Sequence, residues 1–410
     1  MREPVPAARR APDLAETRAG PTAALSVTRP NVPVLALLAL GHMVIDINQG
    51  ALPALLPFLK AKFALSYAAA GTVLLAANMT SSVIQPVFGY LSDRTARRWL
   101  LPWSLVLAST GLGLVGLAPT YGVLLVLVVV AGLGVAAYHP EGYKTANQVA
   151  GDRKATGLSF FSIGGNIGIA LGPPIITVLV TAYTLSGTLG VLVPGLVAAA
   201  LIATVLPSLV PGQAASGAAR TTREAGRDML GAMALLIAVV TVRSWVQLGL
   251  VAYVPFFYVD ILKADPRVVG PLLFAFLGAG ALGTLVGGPI ADRWGTRPYV
   301  TYTLLLAVPL IAAFLLRPGT WFAALCLAAT GFVLVSSFSV TVALAQAYLP
   351  RRLGMAAGLI VGLAIGTGGI GVALLGWVAD HWGLRVTLSL IAAMPLVGFG
   401  AALFLPEPRA

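Results

Sequence analysis

Ionisable residues in an unexpected setting give the first clue to chemistry. "GHMVIDINQG", residues 41–50, places His42 and Asp46 four residues apart, directly after the apolar run "VPVLALLAL". One helical turn separates them, so their side chains share a face. An imidazole titrates near neutrality and a carboxylate beside it can exchange the proton, which makes a proton site. A static hydrogen-bonded pair fixing helix packing is the alternative. His139 and Glu141 flank Pro140 in "YHPEG". Proline interrupts the helical hydrogen-bond ladder there, which frees a carbonyl and can aim Glu141 inward. The alternative is a kink with Glu141 reaching toward the cytoplasm. Arg243 stands alone in "RSWVQLG". Its planar fork fits carboxylate, phosphate or phosphonate, so in a cavity it selects an anion. Otherwise it forms a permanent salt bridge to Asp46 or Glu141, and substrate can displace that acid in turn. Asn48, Gln49 and Gln247 offer uncharged contacts, and Tyr138 and Trp245 offer aromatic walls. Each of these five also reads as ordinary helix packing.

These groups need an apolar frame. Of 410 residues, 58% are hydrophobic and 10% charged, and the mean hydropathy is +0.91. A soluble domain is about a quarter charged. The chain is therefore an all-α polytopic membrane protein. A charge inside hydrocarbon costs at least about 3 kcal/mol unless paired or wetted, so intramembrane ionisable groups face the bundle interior and are functional by default. Runs of about 20 apolar residues cross the bilayer, and twelve are predicted: 33–58, 67–91, 98–117, 121–149, 155–183, 188–209, 229–259, 268–291, 298–316, 320–348, 354–379 and 386–405. Residues 1–30, rich in Ala, Arg and Pro, read as a disordered cytoplasmic tail. Residues 31–209 form a first six-helix half, 210–228 a polar cytoplasmic linker, and 229–410 a second half. Cys326, the one cysteine, excludes an intrachain disulfide.

The net charge of +12 does not imply nucleic acid, because the basic residues sit in short loops. Of the 26 Lys and Arg, 19 lie on the side of the two termini and six on the other, with Arg243 in mid-span. Positive charge marks the cytoplasmic side, so both termini are expected inside the cell.

The halves repeat at an offset of 199 residues. Gly50 aligns with Gly249, Gly71 with Gly270, Gly132 with Gly331, and Gly172 with Gly371. "GYLSDRTARR" (89–98) aligns with "GGPIADRWGTR" (287–297), matching Gly89, Asp93, Arg94 and Arg98 to Gly288, Asp292, Arg293 and Arg297. Composition alone does not easily produce Asp-Arg matches at one offset. Parallel repeats of this kind place the substrate between halves near the midplane, and access alternates as they rock. Asp93 can sit at the positive N-terminus of span eleven with Arg98 neutralising it, a latch for the cytoplasmic side. A plain loop anchor is the alternative. "GWVADHWGLR" (376–385) is a third, weaker copy after span eleven, on the outer side.

The motif at 89–98 resembles the cytoplasmic signature of the major facilitator superfamily. "GNIGIALGPP" (165–174) resembles the antiporter motif of span five. It keeps Gly168, Gly172 and Pro173, but Ile175 and Ile176 replace the usual glycines, and a Gly-lined helix interface explains it equally well. Residues 41–71, "SSVIQPVFGYLSDR" (81–94), "AAYHPEG" (136–142), "SIGGNIGIALGP" (162–173) and "RSWVQLG" (243–249) resemble the fosmidomycin resistance protein family. This resemblance implies the twelve-helix major facilitator fold and proton-driven export of a small phosphonate, hence antibiotic resistance. It also implies a protein embedded in the bilayer of the inner membrane, with protons as the coupling ion and no other cofactor; the chain itself is taken as a monomer. Spans one, four, seven and ten line the cavity in such an architecture, and Asp46, Glu141 and Arg243 fall on three of them. Uptake of an organic anion with protons is the nearest alternative. An intramembrane enzyme is disfavoured, since the sequence shows no metal-ligand cluster and no nucleophile–base pair.

Overall fold

The computed structural model describes residues 30–88, 98–151, 154–206, 228–350, 353–364 and 366–407, and the described residues form helices and short connections without strands. Bilayer hydrocarbon offers no partner for backbone groups, so apolar spans close their hydrogen bonds internally as helices. In the first half these are α1 (Val32–Phe63), α2 (Tyr67–Asn78, running on through the π-turn Met79–Val83), α3 (Leu100–Val115), α4 (Tyr121–Val149), α5 (Lys154–Tyr183) and α6 (Leu192–Val205). In the second they are α7 (Leu230–Phe256), α8 (Val269–Trp294), α9 (Thr296–Leu316), α10 (Trp321–Tyr348), α11 (Leu353–Gly358, with the π-turn Leu359–Ala364, and 368–382) and α12 (384–402). Among the described residues each of the twelve predicted spans contains helix, nine helical stretches are long and apolar enough to cross a membrane, and α11 joins α12 through a reversal at Gly383 (φ 81°). Most of the two segments read as tail and linker lies outside the described residues.

Helix starts are set by local chemistry. The side chains of Asn31, Ser66, Thr120 and Thr320 accept from the backbone N–H groups of Val34, Ala69, Val123 and Ala323, satisfying donors the helix leaves open. The repeat is visible in the backbone too. Positive φ occurs at Ala64 and Lys263, and again at Thr184 and Gly383, each pair 199 residues apart. The entry to the first helix of each half is tied to the end of its fourth: Asn31 N–H donates to Val149 O and Met229 N–H to Tyr348 O, both 2.8 Å.

Packing then sets the level of the site. The α1–α5 pair is held by glycine. A methyl group at Gly164, Gly168 or Gly172 would lie 2.2 Å from Ala39 O, 2.2 Å from Met43 O and 2.6 Å from Ile47 O. Small residues at this spacing let membrane helices approach backbone to backbone. Gly168 and Gly172 thus serve the interface reading of their motif, and Pro173 lies within α5 without ending it. The halves meet along α2–α11 and α5–α8. Away from the termini they share one apolar core, from Ala51–Leu59 through Val246–Phe257 to Val372–Ile391. Toward the termini the cores separate, one around Val34–Ile45 and Tyr138, the other around Met233–Val240 and Tyr348. The apolar cores of the halves are joined at the far end and separate at the terminal end, where Ser82 of the first half still lies against Gly366 of the second.

Candidate functional site

Asp46 and Arg243 occupy the level where the shared core divides. On α1, Ile45 belongs to the separate core and Ala51 to the shared one. On α7, Val240 and Val246 make the same transition. Both residues are buried, at 6% and 2% exposure.

Asp46 sits between two imidazoles. Its Oδ2 lies 3.4 Å from His42 Nε2 and its Oδ1 lies 3.4 Å from His139 Nε2. The other ring nitrogens are engaged: His42 Nδ1 lies 2.9 Å from Phe161 O, and His139 Nδ1 lies 2.8 Å from Val135 O. A carbonyl oxygen only accepts, so each Nδ1 carries a hydrogen and donates it. Each Nε2 is then a bare lone pair facing a carboxylate oxygen, unless a proton occupies it. Lone pairs converging in a buried space repel, and a shared proton removes that repulsion. Phe161 stacks on His42 with ring centroids 4.3 Å apart, and the His139 ring meets His42 edge-on at 5.0 Å. Asp46 Oδ1 makes no hydrogen bond.

His139 joins Asp46 across the α1–α4 interface, a contact that its place in the sequence does not indicate. Residues two apart project in different directions on a helix, and α4 runs unbroken through Pro140. Glu141 is buried at 1% exposure but lies outside the His–Asp–His group. The three residues also form a set of potential metal donors, with ligand atoms within 4.8 Å of one another. The sequence had suggested no such cluster, because α1 and α4 are nearly a hundred residues apart in the chain.

Arg243 is not held by an acid. Its Nη1 donates to Gln247 Oε1 at 3.1 Å, one turn along α7, and to Leu334 O of α10 at 3.2 Å. Nε has no partner. Among the described residues no carboxylate lies within salt-bridge distance, so the expected resting pair with Asp46 or Glu141 is replaced by neutral acceptors. The reason is local: Asp46 is already enclosed by imidazoles, and Gln247 shares the face of Arg243. The guanidinium keeps its full charge and an unused donor.

Other candidates stand in varied surroundings. Asn48 donates to Val44 O at 2.8 Å and to Ser109 Oγ of α3 at 3.2 Å. Tyr138 is fully buried and donates to Leu38 O at 2.8 Å. Trp245 lies against Gly371 of α11, and Gln49 is half-buried. Gly89, Asp93 and Arg94 fall outside the described residues. Arg98 donates to Gln148 at 3.1 Å. In the second copy Gly288 has open space before it, and Asp292 and Arg293 are exposed. Arg297 there donates to Leu403 O at 2.8 Å and pairs with Glu407 at 3.5 Å, tying α9 to the end of α12. Gly165 is the site residue that sequence reasoning passed over: a methyl there would lie 2.6 Å from Asp46 Oδ2 and 2.6 Å from His42 Nε2. It opens the "GNIGIALGPP" motif, beside the packing glycines.

Residues 38–265 and 250–410 match the family model described as Major Facilitator Superfamily. The chain belongs to the major facilitator superfamily. It is 30% identical over 395 residues to the fosmidomycin resistance protein of Escherichia coli (strain K12), covering 95% of this chain and 97% of that one. It is 34% identical over 406 residues to the uncharacterized MFS-type transporter YfnC of Bacillus subtilis (strain 168), covering 95% and 98%. Among solved structures, a bacterial homologue of the human lysosomal transporter Spinster, inward-facing and unoccupied, aligns with a TM-score of 0.77 at 16% identity over 92% of this chain and 98% of that one. The inward-open xylose transporter XylE from E. coli aligns at 0.70 and 14% identity, covering 92% and 97%. Those two show the fold alone. The protein is thus a multi-pass membrane transporter of the fosmidomycin-resistance-like type, in the company of transporters rather than enzymes.

Proposed function

We propose that this transporter exports a small anionic compound, of the phosphonate class, in exchange for protons. The observation that carries the reading is the buried Asp46 carboxylate, 3.4 Å from two imidazole Nε2 atoms whose Nδ1–H groups are committed to carbonyls. Such a group binds a proton at Nε2 or on the carboxylate and releases it without moving a heavy atom. Arg243 supplies the anion site: a buried charge with an idle Nε donor and neutral resting partners. A phosphonate or carboxylate accepting from that fork replaces Gln247 and the Leu334 carbonyl without having to break an ion pair. Glu141, buried on the same helix as His139, is a further proton carrier in this reading.

The loop charges support termini that face the cytoplasm, and the similarity to the fosmidomycin resistance protein supports an inner-membrane location. The halves, with apolar cores separate at the terminal end, then present an inward-facing state, and rocking about the shared core gives alternating access. Export is favoured over uptake by the similarity to the fosmidomycin resistance protein.

Asp46→Asn in proteoliposomes tests the proposal. The variant removes the charge and keeps the volume, so substrate counterflow without a gradient continues while transport driven by a pH gradient stops. Gradient-driven transport at the wild-type rate would remove Asp46 from the coupling path. A purified-protein binding titration with fosmidomycin against neutral sugars tests the substrate class independently.

A further inference from the structure

The third copy of the loop motif, "GWVADHWGLR", keeps the spacing of the other two: Gly376, Asp380 four residues later, and Arg385 five beyond that. In the first two copies the same positions are Gly89, Asp93 and Arg98, and Gly288, Asp292 and Arg297. The transport site does not use this copy. It lies at the end of α11, on the face away from the termini, where the halves share their apolar core.

There it meets α2 of the other half. Asp380 Oδ1 accepts from Tyr67 N–H at 2.7 Å and Oδ2 from Ala68 N–H at 2.9 Å. Ser66 caps the same turn through Ala69 N–H. The carboxylate therefore takes two open donors at a helix N-terminus, where the helix dipole favours negative charge. Gly376 makes the approach possible: a methyl there would lie 2.6 Å from Tyr67 O and 2.7 Å from Ala68 Cα. Tyr67 continues the link. Its hydroxyl donates to Asp260 Oδ2 at 2.8 Å, at the end of α7, and Lys60 Nζ of α1 pairs with the same oxygen at 3.3 Å. Lys60 also lies over the Tyr67 ring, 4.5 Å from its centroid. α1 and α2 are bridged in this way to α7 and α11 by polar contacts outside the apolar core.

We propose that Asp380, with Tyr67, Asp260 and Lys60, is the outer latch of the transport cycle, a set of contacts made only while the outer side is closed. Separating α2 from α11 withdraws both backbone donors from Asp380 and parts Tyr67 and Lys60 from Asp260, so every one of these bonds must break before the cavity opens outward. The motif expected to lock the cytoplasmic side at span eleven has its counterpart here, with α11 supplying the carboxylate and α2 the helix N-terminus. This inference rests on the transporter reading and on its sidedness.

A labelling experiment tests it without requiring transport. Val372 is fully buried on α11, and its carbonyl faces Gly71 of α2. In a Cys326→Ala background, Val372→Cys reports opening by reaction with a membrane-impermeant maleimide, on right-side-out and inside-out vesicles separately. Asp380→Ala is expected to raise the outside labelling rate about tenfold, the equivalent of ~1.4 kcal/mol in the closing equilibrium. Asp380→Glu, which keeps both acceptors, should raise it less, and Asp292→Ala, at the matching position on the other face, should not raise it. Tyr67→Phe removes the link to Asp260 alone and should raise it as well, which covers the case of poorly folded Asp380→Ala. Unchanged labelling in Asp380→Ala and Tyr67→Phe overturns the latch. A rise confined to inside-out vesicles upholds the latch and overturns the assigned orientation.

Discussion

Gly165→Ala is the sharpest single perturbation of the proton site, because the structure fixes its size. The added methyl would stand 2.6 Å from Asp46 Oδ2 and from His42 Cε1 and Nε2. Ordinary contact begins at 3.4 Å, so about 0.8 Å must be relieved. His42 is held by Phe161 O at 2.9 Å and by the stacked Phe161 ring, and Asp46 Oδ1 has no hydrogen bond. The methyl therefore wedges the two groups apart, moving mainly the carboxylate and, to a lesser degree, the edge of the His42 ring. The distance of the carboxylate from a protonated His42 grows from 3.4 Å toward about 4.2 Å, which at an effective dielectric near 20 weakens the attraction by ~1 kcal/mol. That is about fivefold in proton occupancy. Overpacking costs roughly 1–3 kcal/mol, and replacing a helical glycine by alanine returns up to about 1 kcal/mol, so the protein still folds. The assay compares pH-gradient-driven flux in proteoliposomes, read with an entrapped pH-sensitive dye, with counterflow at equal pH. The expected result is a fivefold loss of driven flux with counterflow retained. Full driven flux in a variant of unchanged melting temperature would show that the Asp46–His42 spacing does not matter to coupling, and the geometric argument would fall with it.

Other expectations concern the remaining groups. Arg243→Lys keeps the charge but loses the planar fork, so calorimetry on purified protein should show phosphonate affinity at least about tenfold weaker, with Arg243→Gln weaker still. Equal affinity in both variants would leave Arg243 a packing residue. Tyr138→Phe deletes the bond to Leu38 O and should cost ~1 kcal/mol of stability in a thermal melt, with substrate affinity unmoved, since the side chain is fully enclosed. Chelation should leave driven transport intact, because the His–Asp–His group is assigned a proton. Loss on chelator treatment and recovery with Zn²⁺ would assign it a metal.

The fold was largely legible in the chain because the bilayer imposes its rules strictly. Apolar length fixed the spans, and the Asp-Arg matches at one offset exposed the repeat that the backbone turns at Ala64 and Lys263 repeat again. The site was legible in part. His42 and Asp46 share a helix face, which local spacing reveals. His139 reaches Asp46 from another helix, nearly a hundred residues away in the chain, so local spacing carries no sign of the contact. Arg243 was recognisable as an unrepeated buried charge, but its resting partners were not, because Leu334 O belongs to α10 and a backbone carbonyl carries no sequence signal. Gly165 was hidden for a similar reason: its role is the space it leaves, set by how closely Gly164 and Gly168 bring α5 to α1.

These features point to one division of labour between the halves. In the proposed function the proton group is confined to α1 and α4, with Gly165 and Phe161 of α5 closing it. The anion donor lies on α7 and leans on α10, and Val44 stands where a repeat of Arg243 would be. Both lie where the shared core divides, so in the proposed exchange a charge change in one half would act on the other through space and not through a direct ion pair. An anion at Arg243 places negative charge at that level and favours proton occupancy around Asp46. Proton occupancy in turn favours the anion, because a coupling free energy between two sites is reciprocal. For export by exchange this mutual preference must be opposed by the conformational step, so that the proton-loaded and anion-loaded forms cross separately. That requirement places the burden of antiport on the contacts joining α2 to α11 and α5 to α8, and makes gating residues, more than site residues, the ones whose replacement would convert exchange into cotransport.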